Sequence, residues 1–209
     1  MSSTHTVSQG EHLSRIAAQY GFINYQLIWD HPQNAQLRTL RQSPNILLPG
    51  DALFIPDKEN KVVSIETTRI HSFVLPGRRL LLRIAVEDFH ERPVTNVPVE
   101  LEVEGAVAQR QTDGSGTVEQ EIPNNAEIGV LRTPDLHFPI KIGYLNPIDA
   151  ETGWQARLLN LGYLNSAGPY NDSDELASAL EEFQCDHGLP LSGQPDSATL
   201  DALQAVYGC

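Results

Sequence analysis

The period of the apolar residues changes twice along this chain, and that change restricts it to a modular architecture. Near the start, Leu13, Ile16, Ala17 and Tyr20 follow one another at the spacing of a single helical face. Between about Lys61 and Leu145 the period becomes two: Leu82, Ile84 and Val86 alternate with Arg83, Ala85 and Glu87, and Val99, Leu101 and Val103 with Glu100, Glu102 and Glu104. Such alternation belongs to strands with one buried and one wet face. From about Ile148 the helical stripe returns in three pieces: Trp154, Leu158 and Leu161; Leu176, Ala179, Leu180 and Phe183; Ala198, Leu200 and Leu203. No single layer satisfies both periods, so three segments are expected, at 1–57, 58–147 and 148–209. A chain of 209 residues has the length for two or three compact units.

Turn chemistry refines each segment. In the first, Gly21 suits a left-handed helix end. A second helix from about Tyr25 through Trp29 is expected to break at His31-Pro32, because the residue before proline is pushed out of the helical region. Pro49-Gly50-Asp51 then turns the chain into a strand, Ala52–Ile55. The order is strand, helix, helix, strand. In the second segment Thr112-Asp113-Gly114-Ser115-Gly116 predicts a tight hairpin before a strand at Thr117–Ile122. Six or seven strands in a small sandwich of transthyretin-like or immunoglobulin-like kind are expected. In the third, Gly162 closes the first helix, and Asp196 or Ser197 caps the last. The fold class is therefore multi-domain α+β.

Charge narrows the partners. The net charge of −13 is spread as −1 over 1–57, −3 over 58–147 and −9 over 148–209. An acidic surface repels phosphate backbones and anionic headgroups, so neither nucleic acid nor membrane insertion is expected. No apolar run reaches the ~18 residues that span a bilayer. Cys185 and Cys209 lack the spacing of a disulfide framework, although a bridge between them stays open. The seven histidines form no i, i+4 pair, so neither a metal nor another cofactor is expected. The opening residues have neither a basic stretch nor an apolar one, which predicts synthesis in the cytoplasm and a non-Sec route to the periplasm or wall.

Two stretches resemble known families. His5-x-Val7-x-x-Gly10-Glu11-x-Leu13-Ser14-x-Ile16-Ala17-x-x-Tyr20-Gly21, followed by Pro44-Asn45-Ile46-Leu47-Leu48-Pro49-Gly50-Asp51-x-Leu53-x-Ile55-Pro56, resembles the LysM domain, a βααβ module that binds N-acetylated glycan. The resemblance implies a groove formed by Gln9, Gly10, Glu11, His12 and Leu13 with Pro44, Asn45, Ile46 and Leu47, where Gly10 lets sugar approach the backbone. The alternative is that the glycine and Pro44-Asn45 only make turns, and that Leu13 and Ile46 are core.

Arg157-Leu158-x-x-Leu161-Gly162-Tyr163, then Ala179-Leu180-x-x-Phe183-Gln184-x-x-His187-Gly188-Leu189, then Gly193-x-x-Asp196-x-x-Thr199-x-x-x-Leu203 resembles the three-helix peptidoglycan-binding domain. This implies a second peptidoglycan site, with Arg157, Tyr163 and Gln184 as its candidate residues. Against that, Tyr163 reads equally as a core aromatic, Arg157 as an ion-pair partner and Gln184 as a buried group that fixes a loop.

Together these features predict a non-catalytic peptidoglycan-binding protein. The central segment has no Cys and no Gly-x-Ser-x-Gly elbow, and its glutamates alternate with core residues as on a solvated face. A targeting subunit, or a weak wall hydrolase with an unrecognised central site, is the alternative. Ile28-Trp29-Asp30-His31-Pro32-x-Asn34-Ala35 before Pro44-Asn45 resembles LysM proteins of phage tails and type VI-like contractile injection systems. That resemblance implies a spike, baseplate or effector protein as a further partner.

Overall fold

A computed structural model describes residues 2–58, 62, 64–72, 80–88, 90, 92–134, 136–164 and 173–208. The chain forms two compact units, Met1–Leu40 with Pro49–Tyr144, and Arg41–Leu48 with Leu145–Cys209. The first unit therefore takes in most of the first expected segment together with the strands of the second.

The first unit opens with strand β1 (Ser3–Thr6) and helices α1 (Leu13–Gln19) and α2 (Gln26–Trp29). Leu13, Ile16 and Ala17 of α1 are buried, and Gly21 leaves the helix at φ +70°. The break at Pro32 falls where the sequence places it, but the chain beyond it adds a helix to the expected order of strand, helix, helix, strand. A 3-10 turn, Pro32–Asn34, runs directly into a third helix, α3 (Ala35–Leu40). Proline breaks the helix before it and is well placed to begin the next, since its missing N–H is one of the unpaired donors of a first turn. Buried Asn34 then ties the turn down: its amide nitrogen donates to the carbonyls of Ile28 and Phe54 at 2.8 Å, and its oxygen accepts from Phe54 N–H at 2.8 Å. Strand β2 (Ala52–Ile55) pairs antiparallel with β1, Ser3 opposite Ile55.

The same unit continues as a β-sandwich. Strands β3 (Leu80–Ala85) and β6 (Thr117–Ile122) form one antiparallel pair, and β4 (Pro98–Val103), β5 (Ala106–Gln111), β7 (Ile128–Arg132) and β8 (His137–Lys141) form a sheet of order β5-β4-β7-β8. The predicted alternation sorts correctly, with Val99, Leu101 and Val103 buried in a core with Val118, Ile122 and Leu131, and Leu80, Leu82 and Ile84 packed against it. The predicted hairpin at Asp113 does not form. The turn is there, with Asp113 accepting from the N–H groups of Ser115 and Thr117 at 2.8 Å, but the strands on either side belong to different sheets. The reason lies at Gly116, whose carbonyl accepts from Val86 N–H at 2.9 Å, so the chain leaves the turn in register with β3. The actual tight hairpin joins β4 to β5 through Glu104-Gly105, both at positive φ, +50° and +78°. On β8, Pro139 faces Val130 of β7.

The second unit holds α4 (Glu151–Asn160), α5 (Ser173–Asp186) and α6 (Ser197–Tyr207) around Trp154, Leu158, Leu164, Ala179, Leu180, Phe183 and Leu203. Gly162 ends α4 at φ +92°. Gly153 has no turn role: a Cβ there would collide with the Pro147 carbonyl oxygen, so only glycine lets the preceding chain lie against α4. Cys185 is exposed and free, and Cys209, the other half of the bridge left open by the sequence, lies outside the described residues.

Candidate functional site

In the helical unit one side chain organises the end of the bundle. Gln184, on the inner face of α5, is completely buried. Its Oε1 accepts from the backbone N–H groups of Ser192 and Gly193 at 2.9 and 3.1 Å. Its Nε2 donates to Ser192 Oγ, Thr199 Oγ1 and the Gln194 carbonyl at 2.9, 2.9 and 3.1 Å. Thr199 passes the network on, donating from Oγ1 and from its N–H to Asp196 Oδ1, both at 2.9 Å. Asp196 is thereby the N-cap of α6. The Thr199 bonds first, and Ser192 after them, hold its carboxyl below the usual range. These are the bonds of a residue that fixes a loop.

Arg157 is 1% exposed, and its Nη1 donates to the carbonyls of Asn146 and Gly153 at 2.9 Å while its guanidinium lies 5.5 Å from the Tyr207 ring. Tyr163 differs from both. Its ring meets Phe183 edge-on at 5.4 Å, and its hydroxyl reaches outward to donate to Asp186 Oδ2 at 3.1 Å. Of the three candidates of this unit, Tyr163 alone is partly open to solvent.

In the first unit the loop Gln9–Leu13 is built by a short relay. Tyr20 Oη lies 3.2 Å from His5 Nδ1, His5 Nε2 lies 2.9 Å from Glu11 Oε2, and that oxygen accepts from Ser8 N–H at 2.8 Å. Burial alone would raise the Glu11 carboxyl. The Ser8 bond, His5 and the Arg15 charge together bring it below its ordinary value. Leu13 is core and Gln9 is exposed. His12 is 2% exposed, and neither ring nitrogen has a hydrogen-bond partner; the same holds for Ser14 Oγ. Burial, and then the charge of Arg15, push the His12 imidazole down to about 4.

Gly10 is buried at φ +86°, and the group it approaches is Tyr144, from the segment after β8. Nothing periodic announces that residue. A Gly143-Tyr144 pair after the last strand is the only sequence signal, and the groove implied by the LysM resemblance does not include it. The remaining candidates, Pro44, Asn45, Ile46 and Leu47, belong to the second unit, where Ser43 shapes their turn: Asn45 N–H donates to its Oγ and Ile46 N–H to its carbonyl, both at 3.3 Å. Leu47 is buried and Asn45 exposed.

The glutamates of the sandwich are held by structural partners. Arg132 reaches Glu100 at 3.0 Å and Glu102 at 2.8 Å on the wet face of the four-stranded sheet. Glu104 Oε1 accepts from Glu127 and Ile128 N–H at 2.7 and 3.1 Å, which lowers its pKa. Among the described residues no group of His, Cys, Asp or Glu could hold a metal ion, and no helix is long and apolar enough to cross a membrane. Both tryptophans are core residues.

Residues 154–203 match the family described as a putative peptidoglycan binding domain, a stretch that runs from Trp154 of α4 to Leu203 of α6. No curated protein and no solved structure matches the chain.

Proposed function

We propose that this chain is a non-catalytic peptidoglycan-binding protein whose C-terminal helical module is its main grip on the cell wall. The observation that carries this reading is the family match over a module whose Gln184–Thr199–Asp196 clamp is complete. Tyr163 is the residue of that module best suited to ligand contact, because it offers ring and hydroxyl at the surface while Arg157 and Gln184 are engaged internally. The N-terminal strand–helix segment is a second, LysM-like reader of N-acetylated glycan that works through the Gln9–Leu13 loop. The sandwich is a spacer or docking unit. The Ile28–Ala35 pattern favours service in a contractile injection system, with a spike, baseplate or effector protein as partner; sheath and spike genes beside this one would support that role, and their absence would count against it.

Co-sedimentation with purified sacculi tests the main reading. The full chain is expected in the pellet, and Tyr163→Phe, which keeps the ring on Phe183, is expected to weaken binding while leaving the melting curve in place. A full chain that stays in the supernatant overturns the proposal. A clearing zone in a peptidoglycan gel that survives repurification would overturn the non-catalytic part alone.

A further inference from the structure

Gly10 and Gly143 face each other at φ +86° and +82°. A Cβ on Gly10 would lie 2.8 Å from Tyr144 Cζ, 2.9 Å from Cε2 and 3.1 Å from Oη, and one on Gly143 would lie 2.8 Å from the Gly10 carbonyl oxygen and 2.9 Å from His12 Cδ2. The phenol end of Tyr144 thus rests on bare backbone at the position that glycine keeps clear. Polar contacts lie around it: Gln9 Nε2 donates to the Tyr144 carbonyl at 3.3 Å, Arg15 donates to the Gly10 carbonyl at 3.4 Å and pairs with Glu127, and Lys141 Nζ stands 5.7 Å from the Tyr144 ring.

At the same seam His12, whose Cδ2 lies beside Gly143, is buried with both ring nitrogens unpartnered. A seam selected only to stay shut is expected to supply partners for such groups, because native structures leave few of them unpaired. Hydroxyl and acetamide groups would supply them. Tyr144 is half-buried rather than core.

We propose that Tyr144 is a lid over a latent sugar subsite, seated against the Gly10 backbone where an N-acetylated sugar would lie, and that His12 becomes the polar contact for that sugar when the ring swings away. This rests on the reading of the Gln9–Leu13 loop as a glycan reader. Seating the ligand must then displace the ring, which lowers the affinity of the closed form by the fraction of time it is open.

The experiment is calorimetric titration of the full chain, and of its Tyr144→Ala variant, with a pentamer of N-acetylglucosamine. The variant is expected to bind at least about tenfold tighter, and adding His12→Phe is expected to remove most of that gain. Equal, measurable affinities overturn the lid and leave the glycan reading standing. Weaker binding by Tyr144→Ala makes the ring part of the sugar platform and also overturns the lid. No binding by either chain overturns the glycan reading, and the lid with it. Should the variant fail to fold, nitration of Tyr144 in the unaltered chain decides: saturating oligomer is expected to increase it, and protection or no change overturns the lid.

Discussion

Gln184 and His12 are both polar, both buried and both close to a glycine-bearing loop, yet their surroundings treat them in opposite ways. Around Gln184 every polar atom of the side chain has a partner, and the partners cap the next helix. Around His12 neither nitrogen has one. A buried polar group that is fully bonded gives a fold its uniqueness, whereas one left unbonded is a cost of roughly 1–3 kcal/mol carried by the folded state. The contrast is between these two side chains and not between whole units, since His187 Nε2 of the helical unit is also buried without a partner. The difference has consequences that can be measured.

The largest effect is expected at the clamp. Gln184→Leu keeps roughly the volume but strands the N–H groups of Ser192 and Gly193, while Thr199 keeps its bond to Asp196, and it should destabilise the helical unit by about 3–5 kcal/mol, read as loss of its unfolding transition in a thermal or urea melt. A melt shifted by less than about 1 kcal/mol would remove the contrast with His12.

Next comes acid. The folded His12 is depressed to about 4 from an unfolded value near 6.5, so the unfolded chain binds the extra proton first. The folded state carries no protonation penalty from His12 above about pH 6.5; the penalty grows as the pH falls and is complete once the pH has dropped through about 4, a loss of stability of about 3 kcal/mol. His12→Phe should flatten that part of the stability–pH curve for the first unit and leave the helical unit unchanged. An unaltered slope would mean that the imidazole is not kept neutral by burial.

A smaller loss is expected from Asp196→Ala, which removes the N-cap of α6 but leaves the Gln184 bonds to Ser192 and Gly193; the melting midpoint should fall by a few degrees. The smallest is expected from Tyr163→Phe. It deletes one exposed bond to Asp186, so stability should stay within about 0.5 kcal/mol, and sacculus binding becomes the informative readout.

The parts of the fold legible in the sequence are those governed by period. The stripes beginning at Leu13, Trp154, Leu176 and Ala198 and the alternation at Val99 each become the element expected, because burial selects one face and the spacing records it. The features that escape depend on a single contact at long range. The helix after Pro32 has too short a stripe to register. The residues around Asp113 announce a turn, but not which strands it joins, because Gly116 pairs with Val86, far back in the chain. The Gly153 requirement comes from one carbonyl pressing on one helix face. The candidate sites divide in the same way: the motifs draw attention to Arg157 and Gln184, but a motif does not distinguish a residue that holds a loop from one that holds a ligand. Tyr144 carries no motif at all.

One feature of the sandwich acquires meaning from where such a protein would work. Strand β8 stands at the margin of the four-stranded sheet with Pro139 in its middle. A proline there has no N–H to offer a further strand. Molecules gathered at high density along a repetitive polymer meet one another edge to edge far more often than they do in dilute solution, and an open margin would invite them to zip together. With Pro139 interrupting that margin, a further strand would find no continuous hydrogen-bonding ladder on this side of the sheet.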